Sequence, residues 1–99
     1  MTLEEFKESI KHKKGPNQSL SLPLQALWHD AKGDWDFAHT ICQNARNSDG
    51  DWVHAYLHRK EGDLSNANYW YGRAGKPEFN GSLEEEWEAM VTTFLANKS

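Results

Sequence analysis

The chain has 99 residues, with 11 Lys+Arg against 15 Asp+Glu for a formal charge of −4, and 37% of it is apolar. This length suits one compact domain over residues 1–99, and a mean hydropathy of −0.88 with no apolar run near ~18 residues argues against a membrane span. Five Trp, three Tyr and four Phe argue against disorder, scattered Lys and Arg against nucleic-acid binding, and a lone Cys against a disulfide framework. The acidic opening MTLEEFKESIKHKK has no apolar stretch of a secretory signal, so a cytoplasmic setting is expected.

Apolar spacing reads as helix almost everywhere, which predicts an all-α fold of about six short helices. Thr2 and Glu5 form a capping box for an N-terminal helix within residues 1–14, with Leu3, Phe6 and Ile10 on its apolar stripe. GPNQSLS reads as a flexible linker over residues 15–22. A second helix starts near Pro23 and carries Leu24, Leu27, Trp28 and Ala31 at i, i+3, i+4, i+7, ending at Gly33. Asp34 caps a third, with Ala38, Ile41, Cys42 and Ala45 inward, and NSDGD (47–51) reads as a turn. A fourth carries Trp52, Val53, Tyr56 and Leu57 and ends at Gly62; Asp63 caps a fifth with Leu64, Ala67, Tyr71 and Ala74 inward. Gly75 and Pro77 stop it. Ser82 and Glu85 cap the last helix, over residues 82–97, and Glu84, Glu85, Glu86 and Glu88 read as a charge run meeting its positive end.

A shift of 29 residues superposes Ala26 on Ala55, His29 on His58, Gly33-Asp34 on Gly62-Asp63 and Ala38 on Ala67. Two stacked helical hairpins over residues 23–77 are expected, closed by helices at either end. In Ala55–Pro77 the run Gly62-Asp63, Ala67, Tyr71, Ala74 and Pro77 resembles the tetratricopeptide-type hairpin; the earlier copy keeps Gly33-Asp34, Ala38 and Ala45, with Cys42 in place of the Tyr. The period of 29 is shorter than that family's about 34 residues, and His29 and His58 stand where it uses an aromatic. The resemblance implies a surface presented to a protein partner and implies no chemistry.

Two residue sets carry the functional expectation. The first is aromatic: Tyr56, Tyr69 and Trp70, interleaved with Arg59 and Arg73, have the composition of an interface, while Trp28, Trp52 and Trp87 read as core. It favours a non-enzymatic protein-interaction module that binds a protein partner or itself, needs no cofactor, and uses the first helix to cover that surface or to pack on a second copy. The second set is His29, His39, His54 and His58 with Glu61. His54, His58 and Glu61 lie on one helical face, and His29 and His39 flank the Gly33 turn. Convergence of these groups would suit Zn²⁺ or another divalent metal, and the alternative is a small metal- or small-molecule-binding protein, with an enzyme open on it. The plainer reading makes His29 and His58 packing residues bonded to a carbonyl or an Asn.

Other motifs fail. HAYLH lacks the Glu of the HExxH signature, NSDGD lacks the glycine and the terminal glutamate of a calcium loop, and Cys42 lies in an apolar stripe as an inert thiol. The Asn17, Asn80 and Asn97 sequons carry no weight without a secretion signal.

Overall fold

Six segments have both the apolar spacing and the caps that a helix needs, and six helices form. In the computed structural model, which describes residues 1–97, they are α1 (Leu3–His12), α2 (Leu22–Ala31), α3 (Trp35–Ala45), α4 (Ser48–Lys60), α5 (Leu64–Ala74) and α6 (Leu83–Ala96); no strand occurs among the described residues. Both predicted capping boxes are present: Thr2 with Glu5 opens α1, and Ser82 with Glu85 opens α6. The Lys98 and Ser99 of the last sequon lie outside the described residues.

The two Gly-Asp turns are built alike. Gly33 and Gly62 sit at φ 91° and 90°, where a side chain is strained. Asp34 N–H donates to His29 O at 3.0 Å and Asp63 N–H to His58 O at 2.9 Å. The Asp34 and Asp63 carboxylates then accept from the Phe37 and Asn66 backbones, capping α3 and α5.

Two expected loops are more ordered than the sequence suggests. The NSDGD stretch is no turn: only Asn47 stays outside the helix, accepting Gly50 N–H at 2.7 Å, while Ser48–Asp51 form the first turn of α4. Two acids at that positive end favour helix over turn. Gly50 is required there, because a Cβ would lie 2.7 Å from the Ala45 Cβ. The segment 15–22 is packed rather than a free tether: Pro16 and Leu20 are buried, and Gln25 donates to Leu20 O at 2.8 Å.

α2 pairs with α3 and α4 with α5; α3 lies on α4, and α6 packs on α1, α2 and α4. Trp28, Trp52 and Trp87 are core residues, as expected, and they are anchored by their indole N–H groups. Trp28 donates to Ser9 Oγ, Trp87 to Leu27 O and Trp52 to Glu86. Glu86 contradicts the charge-run reading. Its side chain is fully buried and accepts from Trp52 Nε1 at 3.0 Å, Tyr71 OH at 2.6 Å and Arg59 Nη1 at 2.7 Å. It therefore ties α6 to the α4–α5 hairpin through a satisfied network. The radius of gyration, 12.4 Å, is that of a compact chain of this length, for which roughly 13 Å is expected.

Candidate metal centre and the adjoining cleft

α3 and α4 cross with His39 on one and His54 and His58 on the other. His54 and His58 are four residues apart, so α4 stacks their rings at 4.8 Å between centroids. His39 Nε2 lies 2.9 Å from His54 Nε2. One of the two nitrogens carries the proton and donates to the other, so at least one of the rings is neutral. Taking one nitrogen from each ring, the three donors all lie within 4.8 Å of one another. Tetrahedral zinc with bonds near 2.0–2.1 Å would set its donors roughly 3.3 Å apart. Small side-chain rotations separate the two arrangements.

The cluster is held from outside. His58 Nδ1 meets Glu61 Oε1 at 2.6 Å, which orients the ring and leaves Nε2 for a ligand. Trp35 stacks on His39 at 4.9 Å and 9°, and its own N–H donates to Leu57 O. Trp70 stacks on His54 at 3.9 Å and 13°. Burial pushes the His54 imidazole down to about 4, with His39 and His58 adding to the shift. Burial also lowers His39, helped by His58 and opposed by Glu61 and Asp36. Both rings are thus neutral at pH 7, the form in which imidazole ligates a metal.

His29 is not part of this set. Its ring packs against Phe37 at 4.6 Å and Trp28 at 5.2 Å, because α2 presents it beside the first turn of α3. Burial lowers its pKa as well, with Asp34 opposing. Asn68, which the 29-residue shift sets on His39, is exposed on α5.

The aromatic and arginine set divides. Tyr56 is buried, its hydroxyl donating to Asp30 at 2.9 Å, and burial first, then the Asp30 carboxylate, pushes its pKa up. Arg59 is held by Glu86 and by the Gly81 carbonyl, so it is a structural cation rather than a surface one. Tyr69, Trp70 and Arg73 do lie together on α5. Tyr69 is 57% exposed, and Arg73 lies over the Trp70 ring at 5.2 Å. α1 packs on α2 and α6 instead of covering this surface. Cys42 is buried beside the cluster; its thiol donates to His39 O, and burial together with Asp51 pushes it up to about 12, which fits an inert thiol.

Three contributors escaped the sequence. Glu86 sits at i+3 from Leu83 and i−4 from Met90, so helical periodicity alone places it on the apolar face. Trp35 stands one residue after a cap and four before His39, a spacing that stacks two rings. Arg46 has a left-handed backbone, φ 52°, which nothing in the residue type announces.

No family model, curated protein or solved structure matches the chain. No helix among the described residues is long and apolar enough to cross a membrane.

Proposed function

We propose that the protein binds one divalent d-block metal ion, Zn²⁺ being the best suited, through His39, His54 and His58. The observation that carries this reading is the convergence of three imidazoles from two different helices, one of them held from behind by Glu61. An all-imidazole donor set suits Zn²⁺, Cu²⁺ and Ni²⁺ and disfavours Mg²⁺ and Ca²⁺. Three protein ligands leave a fourth position for water or an exogenous group, the arrangement of reactive rather than purely structural zinc sites. The reading includes a reducing, cytoplasmic setting, and the net negative charge speaks against a nucleic-acid partner.

The test is elemental analysis of untagged protein purified without chelator, followed by Zn²⁺ titration of the metal-free chain. One metal per chain, lost in His54→Ala and in His58→Ala, is the expected result. No saturable binding at micromolar Zn²⁺ would return the histidines to a packing role.

A protein-interaction role rests on a narrower surface than the sequence indicates: Tyr69, Trp70 and Arg73, with Tyr69 standing out from α5. In this second reading the two hairpins act as repeated units presenting α5 to a protein partner or to a second copy. Sedimentation of the wild type and of Tyr69→Ala checks the self-association form; concentration-independent sedimentation of the wild type counts against it.

A further inference from the structure

Beside the histidine cluster a cleft of about 480 Å³ opens between the α3–α4 junction and α5, a volume within the ~300–1,000 Å³ range of small-molecule sites. Arg46, Asn47 and Asp51 line one side, Trp70 and Arg73 the other, and the buried His54 lies beneath. The chain has three arginines, and two of them line this cleft. Arg59, the third, is consumed by Glu86. Arg46 and Arg73 form no ion pair with a described residue. Arg73 spends one N–H on the Tyr69 hydroxyl at 3.4 Å and lies over the Trp70 ring at 5.2 Å. Among the described residues Trp70 is also the one tryptophan whose indole N–H has no partner, the other four being bonded.

Arg46 adds a second kind of observation. Among the described residues three others have positive φ, and all are glycine: Gly33, Gly62 and Gly75. An arginine at such a position carries a backbone cost of about 1 kcal/mol that glycine would avoid. What it supplies in exchange is a cationic residue in the cleft lining.

We infer that this cleft binds a small anionic molecule through one carboxylate or phosphate group clamped between Arg46 and Arg73. The guanidinium fork is the side chain best matched to both head groups. Two arginines against the single Asp51 give the lining a net charge of +1, which suits a singly charged head group. The volume exceeds that of the bare ion, so the head group brings a body that lies along Trp70 and reaches His54. The site shares His54 with the metal centre and does not require the metal.

The experiment is titration of the full-length, ¹⁵N-labelled chain with acetate and, separately, inorganic phosphate at ionic strength matched with chloride. Saturable shifts of the Trp70 indole and of the arginine side chains are expected. The affinity should fall at least tenfold in Arg46→Gln and in Arg73→Gln, and hold in Lys13→Gln, an exposed charge on another face. The stronger of the two probes identifies the head group. Shifts that fail to saturate, or that are equal in all three variants, overturn the inference. His58→Ala keeps the two proposals apart. It should keep anion binding while losing zinc; in the wild type, anion binding without zinc binding sinks the metal centre alone, and zinc binding without anion binding sinks the cleft alone.

Discussion

The α2–α3 and α4–α5 hairpins turn on the same backbone bonds, yet their equivalent histidines have different surroundings. His29 and His58 both precede a Gly-Asp turn by four residues, and both lend their carbonyl to the capping Asp. His58 then lies between α3 and the rest of α4, where His39 and His54 already converge, and Glu61 closes on it. His29 instead has the rings of Trp28 and Phe37 beside it. A turn fixes the path of the backbone over a handful of residues. What a side chain touches is set by the helix laid across it next, and α4 has such a neighbour on its histidine face where α2 has two aromatic rings.

The hardest way to break the comparison is to cut the tie between the second hairpin and α6. Glu86→Ala leaves Arg59, Trp52 and Tyr71 without their shared acceptor, and a loss of about 3–5 kcal/mol is expected in denaturant unfolding. A loss under 1 kcal/mol would mean that the network is slack. The histidines come next. His58→Ala should weaken Zn²⁺ binding at least 100-fold by competition with a chelator, while His29→Ala should leave it within threefold; equal effects would make the two histidines equivalent.

Acid provides a smaller effect. His54 is held near 4 in the folded chain against about 6.5 when unfolded, so the unfolded state binds the extra proton. Its contribution to stability is complete above pH 6.5 and is lost as the pH falls from there toward 4. The metal-free chain should lose on the order of 1–2 kcal/mol between pH 7 and 5, and His54→Gln should flatten that slope. The subtlest test concerns the turns. With no atom within 4 Å of an added Cβ, Gly33→Ala and Gly62→Ala should each cost only the backbone penalty, about 1 kcal/mol and equal for both. Arg46→Gly should do the reverse, raising stability by about 0.5–1 kcal/mol as read from Tm, while abolishing anion binding.

Much of the architecture was legible because it is written locally. Capping boxes at Thr2–Glu5 and Ser82–Glu85, Gly-Asp stops and i, i+3, i+4 spacings each involve residues within one turn of helix. The pairing of His54 with His58 was legible for the same reason. Their meeting with His39 depends on the rotation of α3 against α4, to which a strip of sequence is blind. The Asn47–Asp51 stretch was misleading because turn-forming residues are also the residues that cap and open helices. Glu86 was hidden by the three acids around it, although Leu83, Met90 and Phe94 mark its face as buried. No local rule places Arg46 and Arg73, 27 residues apart, on one cleft.

Every donor to the Glu86 carboxylate comes earlier in the chain: Trp52, Arg59 and Tyr71 precede it by 34, 27 and 15 residues. During synthesis the α4–α5 hairpin therefore emerges with an indole, a guanidinium and a phenol waiting for an acceptor that the ribosome has yet to deliver. Cooperative closure of the fold belongs to the moment α6 is released.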